Sequence, residues 1–322
     1  MYRRLVLLWA AALTLALPAA ALASCGAENC PLDHASRWSE TPFNLEISYQ
    51  YIDQDQPRAG TENVAVGAMP RDHDEIRTLN RATTARASYR FGNGWSVGAA
   101  LPYIERFHAH NHNDPGGAEY ERWDYSGIGD LELSGFRSFG GAKGSSRYFA
   151  TAGVKMPTGV TDVKNAAGEQ PEPAARPGSG SWDFLAGTGA EWRLGGTRAG
   201  EEGGSIPLRL SVTGRLNGRG TEDYRIGPQV QAHLASELPL GSIFALLGQA
   251  NFRIKGKDDV GASGLEEEDT GGSMLFLSPG LRVSTGDHSS VYGLVQVPVY
   301  QRVNGIQLVS DVNLYFGVTG GI

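Results

Sequence analysis

Beyond residue 40 the chain alternates. The odd positions Phe43, Leu45, Ile47, Tyr49 and Tyr51 are apolar or aromatic, while Asn44, Glu46, Ser48 and Gln50 between them are polar. An extended chain turns successive side chains to opposite faces, so period two marks a strand with one face toward an apolar surrounding and the other toward water. The same alternation returns at 207–216, 225–238, 243–255 and 312–319. Read this way, the chain predicts twelve strands, at 42–52, 80–91, 95–107, 127–139, 146–157, 182–194, 207–217, 225–239, 242–256, 273–285, 289–302 and 308–319. Strands of soluble proteins average about five or six residues, whereas tilted membrane-spanning strands need about 9–11. Most of the twelve reach the second length. After the first two dozen residues no convincing amphipathic helical stretch interrupts them.

The connections alternate in length. Those at 92–94, 140–145, 195–206, 240–241 and 286–288 are the short set, with 195–206 the longest of them. Those at 53–79, 108–126 and 158–181 are long, with smaller partners at 218–224, 257–272 and 303–307. Outer-membrane barrels carry this asymmetry, and they place aromatic girdles at the membrane interfaces. Phe43, Tyr89, Phe91, Trp95, Trp182, Trp192 and Phe316 are candidates for such girdles. The predicted fold is therefore all-β: a twelve-stranded antiparallel up-and-down transmembrane β-barrel over 42–322, with short periplasmic turns and long external loops. A soluble sandwich of twelve strands is the competing architecture, disfavoured by strand length and loop asymmetry. Bacterial barrels commonly end on an aromatic residue, and Ile322 departs from that habit.

Residues 1–23 read as a signal peptide, with Arg3 and Arg4 ahead of the apolar run Leu5 to Leu17 and the small-residue site Ala21-Leu22-Ala23. Export through this route predicts the cell outer membrane of a Gram-negative bacterium, with both termini periplasmic. Residues 24–41 then form a periplasmic segment holding both cysteines. Two uses are open for them: a Cys25–Cys30 disulfide, suited to an oxidising compartment, or acylation of Cys25 in a lipoprotein-type signal.

Composition agrees with a barrel. Glycine supplies 44 of 322 residues, charged residues are 20% and hydrophobic ones 40%, which excludes a helical membrane protein. The net charge of −7 becomes −9 once Arg3 and Arg4 leave with the signal. A nucleic-acid partner would want a basic face, so none is expected. The expected partners are outer-membrane lipid, a small-molecule solute and, during biogenesis, the barrel-assembly machinery.

Two stretches carry a family likeness. Gly127-Ile-Gly-Asp130-Leu-Glu-Leu-Ser-Gly-Phe-Arg-Ser-Phe139 and Gly153-Val-Lys-Met-Pro157-Thr158-Gly159 resemble motifs of the outer-membrane β-barrel transporters associated with phenol meta-pathway degradation. The resemblance implies a barrel that takes up or exports small molecules, aromatic ones among them.

If the apolar face is outward, Glu46, Arg86, Arg90, Asp130, Glu132, Lys155, Asp183, Glu191, Arg193, Arg209, Arg215, His233, Glu237, Arg253, Lys255, Arg282 and Arg302 point into the lumen. Charges of both signs need water or partners there. Eight-stranded barrels are filled by side chains and sixteen-stranded ones hold an aqueous channel, so two readings stay open for twelve. One is a narrow, weakly selective pore or transporter for small solutes. The other is a lumen plugged by Arg–Glu pairs, serving as a platform for the external loops. A hydrophobic conduit fits poorly with so polar a face.

The most distinctive local motif is Phe107-His108-Ala-His110-Asn-His112-Asn-Asp114, whose histidines share one face of an extended chain. His73, Asp74, Asp53 and Asp55 lie in the neighbouring loop, and imidazole with carboxylate suits Zn or Cu. A transition-metal site from these seven residues is the candidate, against the plainer reading of solvated polar loops. The runs Asp258-Asp259 and Glu266 to Asp269 read as solvated loop faces, and 158–181 as a proline-rich external lid or disordered segment. Omptin-type surface proteases place Asp and His at a comparable rim, but no residue set here aligns with such a motif, nor with the Ser–His pair of an outer-membrane phospholipase. The chain is expected not to be an enzyme.

Overall fold

The computed structural model describes residues 41–68, 73–114, 117–140, 146–194, 206–261 and 267–322. The expectations for the signal peptide, Cys25 and Cys30, Glu266 and the turns at 141–145 and 195–205 fall outside them. The strands are β1 (Phe43–Gln54), β2 (Gln56–Ala59), β3 (Glu62–Asn63), β4 (His73–Arg90), β5 (Trp95–Asp114), β6 (Gly117–Ile128), β7 (Glu132–Gly140) and β8 (Ser146–Lys155). They continue as β9 (Asp183–Leu194), β10 (Ile206–Asn217), β11 (Gln229–Leu240), β12 (Phe244–Lys255), β13 (Gly272–Gly286), β14 (Ser289–Val303), β15 (Ile306–Val309) and β16 (Asn313–Gly321). Among the described residues there is no α-helix.

These strands close into a twelve-stranded antiparallel barrel. The seam joins β1 to β16, from Asn44 opposite Gly321 to Ile52 opposite Asn313, so the start of the first wall strand and the end of the last lie at one rim. Phe43 and Ile322 complete the seam by exchanging backbone bonds of 3.1 and 2.9 Å. β6 and β7 are two halves of one wall strand, since β5 pairs with β6 from Tyr103 onward and with β7 up to Ala100. At the opposite rim β2, β3 and β15 form a small sheet that prolongs the wall beyond β1 and β16.

Burial tells which face is inside. Glu46, Asn251, Ser278, Gln296 and Asn313 are 0% exposed, whereas Ile47, Phe184, Leu216, Phe316 and Val318 are 52–67% exposed. A water-soluble barrel has the reverse polarity. Polar groups are inside and apolar groups outside because the surrounding medium is hydrocarbon, in which closure of the sheet also satisfies every ladder bond. Tyr89, Phe91, Trp95, Phe139, Tyr148 and Phe244 are exposed near the rim of Phe43 and Ile322, and Trp182 is exposed toward the other rim. Trp192 is only half-exposed.

Two long connections turn out to be wall. Residues 108–126 are not a loop: β5 and β6 stay paired up to Asp114 and Gly117, and β4 begins at His73 inside the expected loop 53–79. Outside the membrane both faces meet polar surroundings, so period two fades from the sequence although the ladder continues. Besides one at the Ser284–Gly286 end of β13, three irregularities shift side-chain parity, which a one-residue insertion must do. One lies between Glu75 and Arg77 of β4. The second is the Gly129–Leu131 break, where three residues face Leu101 and Pro102 of β5. The third is at Val299 of β14, skipped between the Phe276–Pro298 and Leu275–Tyr300 pairs. That last bulge corrects Arg302, expected in the lumen: it is exposed, while Gln301 and Val303 beside it are buried.

An arginine in place of Val212, mid-strand in β10 and 40% exposed, should cost about 2–4 kcal/mol in bilayer-inserted protein, and Tyr120→Arg on the β5–β6 extension about 0–1 kcal/mol. Urea unfolding in lipid vesicles measures both.

Candidate functional site

The two motifs that carry the family likeness meet in space. Lys155 at the end of β8 is bonded to Asp130 Oδ2 and Asp183 Oδ2, both at 2.8 Å, and all three side chains are nearly buried. Asp130 sits in the break between β6 and β7, where the bulge turns it inward. Its Oδ1 accepts the Gly159 N–H at 2.9 Å, and its Oδ2 accepts the Ser179 N–H at 2.9 Å and the Ser179 hydroxyl at 2.7 Å. Gly159 and Ser179 belong to opposite ends of the connection 156–182. One carboxylate therefore holds both ends of the same loop. Around it, the Leu131 N–H donates to Thr158 Oγ1 at 2.9 Å and the Ser181 hydroxyl donates to Asp183 Oδ1 at 2.7 Å. Glycine is needed where the two loop ends cross: a Cβ on Gly178 would lie 2.4 Å from the Gly159 carbonyl carbon, and one on Gly159 would lie 2.7 Å from the Gly178 Cα.

From this clasp the loop enters the barrel. Ala175 and Arg176 are 6% and 7% exposed, and Pro171, Pro173, Pro177 and Gly178 are buried beside them. The wall residues that meet the loop are inward-facing ones. The Trp123 indole donates to the Glu169 carbonyl at 3.1 Å, and the Tyr125 hydroxyl donates to the Ala175 carbonyl at 2.5 Å. The Arg106 guanidinium donates to Ala175 O and to Asn80 Oδ1, and Asn80 donates in turn to Gln54 at 2.9 Å. Arg176 reaches the neighbouring loop through Glu222. The external lid expected over 158–181 is thus a segment folded into the lumen. Its carbonyls at Glu169 and Ala175 offer acceptors that Arg106, Trp123 and Tyr125 satisfy, a match invisible in the loop's own composition.

Most of the expected lumen charges lie on the buried side of the wall, in pairs. Glu46 Oε1 accepts from Arg86 at 3.4 Å and from the Tyr292 hydroxyl at 3.1 Å. Tyr292 reaches it over Gly317, where any Cβ would meet its ring within 2.5 Å. Arg209 lies 3.5 Å from Glu191, Arg215 lies 2.5 Å from Glu132, and Arg282 bonds Glu237. The Arg215–Glu132 pair joins strands separated by β8 and β9, so it crosses the lumen rather than following the wall. His233 is buried against Asn251 at 3.0 Å, and Arg253 is 1% exposed. Arg90 is half-buried, while Arg193 is exposed at the rim. Asp258 corrects the expectation of a solvated face: it is 1% exposed, bonds Lys255 at 2.8 Å and accepts from Tyr224 at 2.5 Å.

Sequence reasoning missed one feature of the lumen. Ile52, Met274, Phe276, Tyr292, Leu294, Val303, Val309 and Tyr315 form a buried apolar cluster along β1, β13, β14 and the β15–β16 strand. Its signal is the stretch of β14 from Val291 to Val295, apolar at both parities.

The expected metal ligands do not all gather. Asp53 is held by Arg77 at 2.6 and 2.8 Å, a contact that raises the guanidinium's pKa further above its ordinary value, and Asp55 is exposed. Asp74 accepts from Asn113 at 2.8 Å. His112 is exposed, and His73 is its register partner on β4. His108 and His110 are buried, and the residue brought to them is Glu75, turned toward them by the β4 bulge.

No protein-family model matches the chain, and no curated protein matches it by sequence. Among solved structures, an outer membrane channel from Pseudomonas putida F1 is similar with a TM-score of 0.62 and 12% identity, over 90% of this chain and 99% of that one. The transport unit of the Escherichia coli autotransporter AIDA-I gives 0.48 and 10%, over 90% and 93% of the two chains. The Ralstonia pickettii toluene transporter TbuX gives 0.43 and 9%, over 87% and 89%. The likeness to the first is one of fold.

Removing one member of a buried ion cluster strands the others without compensation. Lys155→Ala should therefore destabilise the folded barrel by about 3–5 kcal/mol, whereas Arg77→Ala at the exposed Asp53 pair should cost no more than about 1 kcal/mol. Denaturant unfolding of the two variants in vesicles tests the contrast.

Proposed function

We propose that this chain is an outer-membrane channel for small solutes in a Gram-negative bacterium, with the long-loop rim outward, both termini in the periplasm and the segment 156–182 as its gate. The observation that carries the reading is a docked loop inside a charge-lined lumen. A lumen needs no internal loop merely to be a stable wall, and the loop's contacts are the kind that can be released. Between the clasped ends they are individual hydrogen bonds, about 0.5–1.5 kcal/mol net for those of Trp123 and Tyr125 and about 1.5–3 kcal/mol for that of the Arg106 guanidinium, rather than a continuous apolar core. Water-accessible charges such as Arg86, Glu132, Arg215 and Arg282 suit a hydrated path, and the apolar cluster on the β13–β14 wall suits the carbon skeleton of a small molecule. The fold likeness to an outer membrane channel supports the same reading. The motif resemblance to phenol-pathway transporters extends it toward small aromatic solutes.

A second reading uses the same loop. If the segment never leaves, the barrel is a closed platform for its external face. Single-channel recording of the purified barrel in a planar bilayer separates the two. Wild type should open briefly and rarely, and an Arg106→Ala/Tyr125→Phe variant, lacking two anchors to Ala175 O, should raise the open fraction about tenfold or more. Silence from both proteins, with folding shown by heat-modifiable mobility, would overturn the channel and leave the platform.

A further inference from the structure

Above the gate, three neighbouring strands bring nitrogen and carboxylate donors to one point. β5 is extended through Phe107–Asp114, so His108 and His110 project from the same face about 6.6–7 Å apart along the chain, and their rings meet edge to face at 5.5 Å. On one side, the bulge in β4 brings Glu75 opposite His110 in the ladder, with its Oε2 3.7 Å from His108 Nδ1. On the other side, β6 sets Glu121 opposite His110, with Oε2 3.1 Å from His110 Nε2. Donor atoms of Glu75, His108 and His110 all lie within 4.8 Å of one another.

We propose that Glu75, His108 and His110 form a binding site for a divalent transition-metal ion of the zinc class. A tetrahedral ion with ligand bonds of about 2.0–2.1 Å holds its ligand atoms roughly 3.3 Å apart, so the cluster needs only a modest inward movement. Glu75 supplies it by side-chain rotation, being the least buried of the three. Two imidazoles and a carboxylate with a fourth position for water is a zinc arrangement; calcium and magnesium prefer all-oxygen shells. The surroundings are those of an oriented site. Thr78 Oγ1 lies 2.9 Å from His108 Nδ1, and Glu121 is bonded to His110 Nε2, contacts of the type that fix the orientation of ligating histidines. Trp123 covers both rings at 5.6 and 5.0 Å. Its indole also holds the gate at Glu169 O, so the ion would sit against the seat of the loop.

A plain His110–Glu121 ion pair, binding no metal, is the competing account. The test is equilibrium dialysis of the folded full-length mature barrel against Zn²⁺ alone, with metal counted per protein and no ion current involved, so that its outcome is independent of the channel reading. Wild type should retain a zinc ion that His108→Ala/His110→Ala loses. Glu75→Gln, isosteric and gentle on the rim, should lose it or bind at least tenfold more weakly, and Glu121→Gln about 10–100-fold more weakly. His112→Ala, exposed on the same strand, should bind as wild type does. Zinc retention undiminished by Glu75→Gln and by the double histidine substitution, retention lost in His112→Ala alone, or none in folded wild type would overturn the site.

Discussion

A buried carboxylate decides how this barrel is filled. Asp130 faces inward only because Gly129–Leu131 inserts a residue into the wall opposite Pro102, a residue with no N–H to give the ladder. Once turned, its oxygens accept from both ends of the connection 156–182 and meet Lys155, which in turn meets Asp183. The two ends of the loop cannot leave the wall without stranding that charge, so only the span between them is free to move. The two sequence motifs that look unrelated on paper, around Gly127–Phe139 and Gly153–Gly159, are the two sides of this one clasp. Desolvating so many charges is tolerable because most of them are paired, and because the loop itself brings acceptors to Arg106, Trp123 and Tyr125.

The remaining lumen follows from the same need. Hydrocarbon outside takes the apolar face of the membrane-crossing stretches, so their polar side chains are turned inward and must satisfy one another or water. Some do so along the wall, as Glu46 with Arg86 and Tyr292. Others span it, as Arg215 with Glu132. The apolar cluster from Ile52 to Tyr315 occupies the side of the wall away from the clasp, beside the Glu46–Arg86 pair that Tyr292 bonds.

The barrel was legible in the sequence because lipid imposes period two on each membrane-crossing segment, and all twelve predicted strands have a counterpart in the wall. What escaped the pattern escaped for physical reasons. Beyond the membrane both faces are polar, so the β5–β6 extension reads as a loop. Bulges move parity without any mark in composition: the one at Val299 exposes Arg302, and the one in β4 brings Glu75 rather than Asp74 to His108 and His110. The connection 156–182 reads as a lid because prolines and glycines report only local stiffness and freedom. Its partners Arg106 and Tyr125 lie far from it in the chain and announce nothing until the wall is closed. The charged lumen positions were readable one by one, whereas their pairing across the barrel was not.

The position of the segment 156–182 inside the wall is the claim on which the clasp, the gate and the filled lumen all rest. A cysteine pair tests it most directly: Gly127→Cys with Pro177→Cys, in a Cys25→Ser/Cys30→Ser background, because a Cβ at Gly127 would stand 3.1 Å from Pro177 Cγ, within disulfide reach. Oxidation of the folded barrel in isolated outer membranes should close that disulfide in most molecules, seen as a shift in unfolded electrophoretic mobility reversed by reductant. Two thiols that stay open, and react freely with a membrane-impermeant reagent from outside, would contradict it.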